Sequence, residues 1–407
     1  MVGVEAETTE MMPGNGEPNG LADITLLATA DWDHPLWTNK QHVACSLAKL
    51  GHRVLYVESL GLRPLRAGRS DWRRVLQRLR HGLRPPRPVR ERLWVWSPLV
   101  LPGARSGPAA WLNRQVLRLG LARCRRRLGL RRDWLWTYNP RTLDVLDAGP
   151  YQRLIYHCVD AIQAQPDMPA AAIDRGEARL CAEADAVFVT SPQLLSDLRP
   201  LNPQTIYYPN VADGAHFARA LDPSLGVPAE LAALPAPRIG FVGAISAYKL
   251  DLLLLETLAR RHPHWSFVLI GPVGEGDPST DVAALATLDN VHLLGTRPYN
   301  DLPAYLKGLD LGLLPLRLSP YTQAMFPMKF FEYLAAGLPV VATAIDALEP
   351  FGHLALLRQP TAEAFAAAIS AALEGDGPTQ QQRLAGAAAH TYRGRTEAML
   401  QDLSQLV

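Results

Sequence analysis

The sequence predicts an α/β protein built of two doubly wound, parallel-sheet domains. Three observations carry that expectation. A chain of 407 residues exceeds what one ordinary core encloses. An apolar run at 22–30 leads through a polar loop and a helical stretch into a second apolar run, the opening of a doubly wound sheet. From Pro237 the same alternation begins again, which calls for a second parallel sheet.

The elements follow in order. Residues 1–20 are acidic and rich in Gly and Pro, without the basic and apolar regions of a signal peptide, and read as a disordered tail. The first Rossmann-like domain spans 21–215. Its first strand lies within 22–30, a loop covers 31–40, a helix at about 40–50 stops at Gly51, and a strand occupies 53–58. Further strands are expected at 93–96, 134–137, 154–157 and 186–190, with a helix at 173–184 between the last two. The Pro-rich stretch 221–237 reads as the linker into a second Rossmann-like domain over 216–385. Residues 380–406 look helical, and the segment 386–407 is expected to be a final helix.

The run Pro327-Met-Lys329-Phe-Phe-Glu332-Tyr-Leu-Ala-Ala-Gly337-Leu-Pro339-Val-Val-Ala-Thr343 is the most informative stretch. Pro327 suits the first helical position, Gly337 a left-handed stop, and Pro339 ends the helix before a buried strand. Lys329 and Glu332, three apart, share one face near a helix end that suits a phosphate. A carboxylate can accept from both ribose hydroxyls, so the pair fits a nucleoside diphosphate. A solvated ion pair on a surface helix is the other reading.

That run resembles the donor-site signature of retaining GT-B glycosyltransferases, in particular glycosyltransferase family 4. The shared positions are Pro327, Lys329, Glu332, Ala335, Gly337, Pro339, Val340 and Thr343. Other segments resemble the family in the same order: Tyr208-Pro-Asn210-Val-Ala-Asp213 with Phe217, Arg238-Ile-Gly-Phe-Val-Gly243-Ala-Ile, Phe267-Val-Leu-Ile-Gly271-Pro, and Asn290 to Tyr299. The details are similar to bacterial teichuronic-acid and surface-polysaccharide enzymes. Two positions depart from the pattern, Ala324 for a second Glu and Ala244 for an Arg.

The resemblance implies two domains facing a cleft, with an acceptor-binding N-terminal domain and a donor-binding C-terminal one. The final helix would pack back toward the first domain. Glu332 would hold the ribose, and Gly243, Lys249, Gly271, Arg297, Tyr299, Pro327 and Lys329 would line the donor side. Lys249 and Lys329 would neutralise charge on the departing diphosphate, so neither a metal nor another cofactor is implied. The implied reaction moves a sugar from a nucleoside-diphosphate sugar to a glycan or lipid-linked acceptor, with retention. A noncatalytic nucleotide-sugar binder in a polysaccharide assembly complex and a sugar-nucleotide 2-epimerase are the competing readings.

Two N-terminal segments offer chemistry to the acceptor. The loop bearing His34, Trp37, Asn39 and Lys40 supplies hydrogen-bonding and stacking groups for a sugar; an ordinary polar loop is equally consistent. Its Asp31-Trp-Asp33 has the D-x-D form of a metal motif, a pattern that recurs by chance. The strand end Tyr156-His157-Cys158-Val-Asp160 brings Asp160, suited to orient or deprotonate an acceptor hydroxyl. His157 is either a further contact or a packed core residue. No H-E-x-x-H, G-x-S-x-G, P-loop or clustered Cys/His pattern appears.

Charge is uneven. Between Gly61 and Arg132 there are 20 arginines, no lysine and two acids, a formal +18 against +2 for the whole chain. Segments such as 71–80 and 111–120 interleave Arg with apolar residues at helical spacing, as in helices that lie on anionic membranes. A solvated face and a nucleic-acid patch are the alternatives, and no nucleic-acid-binding motif accompanies the charge. Four cysteines without C-x-x-C spacing point to a reducing compartment. The expectation is a cytoplasmic protein, peripheral at the inner face of the plasma membrane where the basic region meets lipid.

Overall fold

The computed structural model describes residues 21–34, 37–60, 85–98 and 107–406. The tail expected at 1–20 and the Arg-rich helix expected at 71–80 lie outside the described residues.

Among the described residues, eight strands form the first sheet: β1 (Asp23–Leu27), β2 (Arg53–Val57), β3 (Arg87–Arg90), β4 (Leu93–Trp96), β5 (Trp134–Thr137), β6 (Arg153–Cys158), β7 (Ala186–Val189) and β8 (Thr205–Tyr207). Their order is β3-β4-β2-β1-β5-β6-β7-β8, parallel except for β3, which pairs antiparallel with β4. Ile24 of β1 sits opposite Val54 of β2 and Trp134 of β5.

Both faces of this sheet are covered, and the side-chain alternation of period two shows it. Ile24, Leu26, Val54, Tyr56, Trp136, Ile155 and Phe188 enter one apolar core. Their neighbours Leu27, Leu55, Val57, Leu135, Leu154 and Val187 enter the other. Strands buried on both sides need continuous apolar runs, which is why β1, β2 and β7 were legible in the sequence.

The second sheet holds β9 (Arg238–Val242), β10 (Ser266–Ile270), β11 (Val291–Gly295), β12 (Leu311–Leu314), β13 (Val340–Thr343) and β14 (Leu356–Arg358). Its order is β11-β10-β9-β12-β13-β14, parallel throughout. In each sheet the chain builds outward from one central strand and then returns to its other side. The switch points lie between β1 and β5 and between β9 and β12, and ligands of such sheets sit beyond the strand carboxyl ends there.

Two sequence expectations change, and one central strand went unread. The stretch 221–237 is more than a linker: it contains the helix Ala229–Ala232, whose Leu231 is fully buried in the second core. Leu231 and Val227 close over Gly308, where a Cβ would lie 2.5 Å from the leucine. The C-terminal stretch is two helices, Gln380–Ala389 and Tyr392–Gln405, because the Thr391 side chain accepts from the Gly394 amide and caps the second. β12 passes unread because Gly312 breaks its short apolar run; the missing Cβ makes room for the Tyr333 ring.

The helix Tyr392–Gln405 lies against the first sheet's unit. Met399 and Leu403 join its core, Arg153 donates to the carbonyls of Leu403 and Leu406, and Tyr208 donates to Asp402.

Candidate functional site

The carboxyl ends of β9 and β10 turn on Gly243 and Gly271, at φ 153° and 151°. The two turns touch: a Cβ on Gly271 would sit 1.9 Å from the Gly243 carbonyl oxygen, so a side chain there has no space. A Cβ on Gly243 would lie 3.9 Å from Cε of Lys329, which places that side chain against the turn. The Lys329 Nζ donates to Oε2 of Glu332 at 2.7 Å, and Glu332 is buried with only 3% of its side chain exposed. The i,i+3 pair is therefore a shielded pair beside two glycine turns, and not the solvated surface pair that remained open from sequence.

The helix that carries this pair is Lys329–Ala335, with Met328 as N-cap. Pro327 is thus not the first helical residue. It stands before the cap and accepts from the Phe330 amide at 3.0 Å, opening the turn from outside. Gly337 follows the helix at φ 79° and its carbonyl accepts from Arg383. Seven residues make a weak dipole, so the cationic side chains carry most of the positive charge at this place.

A second group of residues joins the two lobes. Tyr321, just beyond β12, donates to Asp160, just beyond β6, at 3.3 Å. Lys249 lies 5.1 Å over the Tyr248 ring and 5.5 Å over the Tyr321 ring. Lys40 of the first lobe is buried, 5.7 Å over the Tyr138 ring, and its ammonium feels both the Asp160 carboxylate and Lys249. Burial lowers the Lys40 pKa, with Asp160 opposing that shift. Asp160, Lys40 and Lys249 thus converge from opposite lobes.

His157 stacks on the other partner of this group, its ring 4.8 Å from Tyr138. Both ring nitrogens are buried without a hydrogen-bond partner among the described residues, and burial holds its pKa well below the usual imidazole range. The side-chain oxygens of Gln163 and Gln323, one from each lobe, are likewise buried without a donor. Ala324 is buried and packs into a core of the first lobe.

Four candidates are committed elsewhere. Asn39 is no free acceptor-binding amide: it donates to Asn210 at 2.8 Å and accepts from Arg395 at 2.7 Å. Asn210 in turn donates to the Phe326 carbonyl, so the network ties both lobes and the last helix together. Trp37 is covered by Tyr299 across the lobes and by Arg90. Tyr299 itself stacks on His216 at 4.2 Å, with its hydroxyl buried, so its ring is not open to a base. Arg297 is held by Glu230 and Tyr305, which fix its guanidinium fork. Of the rest, His34 reaches the second lobe at Glu275, 3.2 Å away, and Asp33 pairs with Arg87.

Tyr321, Gln163 and the Arg395 network were missed in the sequence. Tyr321 and Arg395 act through partners more than a hundred residues away, and no local pattern marks such a pair.

Residues 236–375 match the family described as Glycosyl transferases group 1. Over 106 residues the chain is 42% identical to the putative teichuronic acid biosynthesis glycosyltransferase TuaH of Bacillus subtilis (strain 168). That stretch is 26% of this chain and spans about a quarter, 26%, of that relative. Among solved structures, sucrose-phosphate synthase from Thermosynechococcus elongatus is similar at a TM-score of 0.65 and 17% identity, over 94% of this chain and 99% of that one. Anabaena Alr3699/HepE in complex with UDP and glucose is similar at 0.64 and 17%, over 93% and 99%. Trehalose-6-phosphate from E. coli bound with UDP-2-fluoro glucose is similar at 0.65 and 15%, over 95% and 100%. These likenesses show the fold: two Rossmann-like sheets in the GT-B arrangement.

Proposed function

We propose that this chain, which carries a glycosyl transferases group 1 domain over residues 236–375, is a glycosyltransferase of surface-polysaccharide synthesis. It takes a sugar from a nucleoside-diphosphate sugar and passes it to a glycan or lipid-linked acceptor, on the cytoplasmic side of the membrane. The observation that carries this reading is the buried Lys329–Glu332 pair set against the Gly243 and Gly271 turns at the switch point of the second sheet. That HepE was solved with UDP and glucose, and the E. coli protein with UDP-2-fluoro glucose, supports a nucleotide sugar as the ligand.

Glu332 accepts from the ribose hydroxyls. The backbone turns at Gly243 and Gly271 leave room for the diphosphate to approach closely. Lys329 and Lys249 balance the charge that builds on the diphosphate as the glycosidic bond breaks. Asp160 orients the acceptor hydroxyl and takes its proton, and Lys40 lies close enough to feel that carboxylate. Same-face attack, with retention, is the course we assign, on the resemblance to family 4. Closure of the lobes over the donor excludes water and limits hydrolysis.

The test is a thermal-shift panel of nucleoside diphosphates and their sugars on the protein and on Glu332→Ala. One class of nucleotide should stabilise the parent, by about 2.7 kcal/mol at a hundredfold excess over Kd, and should do so barely in the variant. Equal stabilisation of both proteins, or none of the parent by any member, would overturn the assignment. Release of sugar from the donor by the purified protein separates an enzyme from a nucleotide-sugar binder.

A further inference from the structure

The helix Gly107–Leu128 connects β4 to β5 and packs on one face of the first sheet. Leu117, Leu121 and Cys124 are its buried side, set against Leu55, Val57 and Leu135. Gly120 brings it close, since a Cβ there would lie 2.5 Å from the Trp96 ring. The helix is therefore seated firmly, and its outer face is fixed.

That outer face is unusual. At about 100° per residue, Trp111, Leu112 and Leu119 fall on one side, opposite the buried leucines. Trp111 is 62% exposed and Leu119 63% exposed. Exposed arginines 114, 118, 123 and 126 flank them, and the helix contains no acid. Arg118, Arg123 and Arg126 have no ion-pair partner among the described residues. A tryptophan and two leucines among unpaired guanidinium groups match an interface that is apolar inside and negatively charged at its rim. A second copy of this face does not fit, because a two-fold contact would set arginines against arginines. Generic nucleic acid would use the charge and leave the leucines unexplained.

We propose that this face docks on an anionic lipid bilayer. The first half of the helix reaches the segment that follows β5, where Arg114 donates to the Asp144 carbonyl; Lys40 and Asp160 likewise follow the carboxyl ends of their strands, β1 and β6. Docking through Trp111 and Leu112 holds that end of the first lobe near the headgroups. The inference builds on the reading of a lipid-linked acceptor, whose reactive end lies at that depth. Among the described residues no helix is long and apolar enough to cross a membrane.

The experiment is vesicle co-sedimentation of the full chain, with phosphatidylcholine alone and with phosphatidylcholine mixed with phosphatidylglycerol. The mixed vesicles should bind the protein in a salt-sensitive manner and the neutral ones far less. Arg118→Gln and Arg123→Gln should each weaken binding about fivefold. Trp111→Ser with Leu119→Ser should weaken it about tenfold or more. Unchanged melting and unchanged nucleotide stabilisation in these variants show that the fold and donor site persist. Equal vesicle binding by parent and variants overturns the proposal, as does equal binding to neutral vesicles. Capture of generic duplex DNA with the same loss in the arginine variants overturns it in favour of nucleic acid. Vesicle binding without any nucleotide stabilisation of the parent would instead count against the glycosyltransferase reading alone.

Discussion

Arg395 donates to the Asn39 side-chain oxygen at 2.7 Å across 356 positions of sequence, deep inside the protein. Arg395 also donates to the Pro209 carbonyl at 3.1 Å, and Asn39 to Asn210. A buried guanidinium needs such acceptors, because an unpaired buried charge is costly. The last helix, the first lobe and the chain crossing between lobes are thereby held at one point.

Asn39→Ala should therefore destabilise the protein by roughly 2–3 kcal/mol, since it removes one acceptor from the buried Arg395 guanidinium and the Asn39 donor to the Asn210 side-chain oxygen. Asn39→Asp, which keeps an acceptor for Arg395, should recover part of that loss. Denaturant unfolding of the three proteins checks this. Equal midpoints for parent and Asn39→Ala would refute the bridging role.

On the role proposed for it, Asp160→Asn should lower kcat of transfer by about 10²–10⁴ while leaving nucleotide stabilisation in place, because Asp160 belongs to the first lobe, which the proposal gives to the acceptor. Steady-state kinetics beside a melting assay separates the two effects. A parallel loss of nucleotide binding would move Asp160 into the donor site.

Lys40 is a buried lysine with no hydrogen bond to another described residue, and burial lowers its pKa. Such a residue stabilises the fold poorly, so Lys40→Met should leave the melting temperature equal or higher. Turnover should fall at least tenfold. A strongly destabilised Lys40→Met with normal specific activity would make the lysine structural.

His42 is buried, stacked on Tyr392 at 4.3 Å, and surrounded by the positive groups Arg395, Lys329 and Arg90 and by His216. Burial first, and Arg395 next, push its pKa down to about 3 from 6.5. In that window the unfolded chain binds the proton and the native protein does not. The favourable term is thus complete above pH 6.5 and is lost as pH falls toward 3, at up to about 1.4 kcal/mol per pH unit. His42→Phe keeps the stack and removes the proton, so its melting temperature should fall less between pH 6.5 and 4. Superimposable pH profiles would refute it.

The fold was legible wherever burial imposes a repeating pattern. β5 runs over Trp134–Thr137, the span read from its apolar run, and the helix expected at 173–184 runs Ala170–Glu183. The donor-side stretch was legible for a different reason: Lys329, Glu332, Gly337 and Pro339 sit within one turn-and-strand unit, so their spacing alone places them together. β3, β8 and β14 were not read, because edge strands of three or four residues carry too few side chains to show a period.

Local sequence by itself determined the alternation of strands and helices, the two parallel sheets, and the neighbourhood of Lys329 and Glu332. Tertiary structure alone decided which polar groups remain available. It joined Asn39 to Arg395, covered Trp37 with Tyr299, tied Arg297 to Glu230, and left Lys40 buried beside Asp160 and Lys249. The reason is physical: spacing along a chain fixes neighbours only over a turn or a strand, whereas partners across a cleft depend on how two separately built sheets meet.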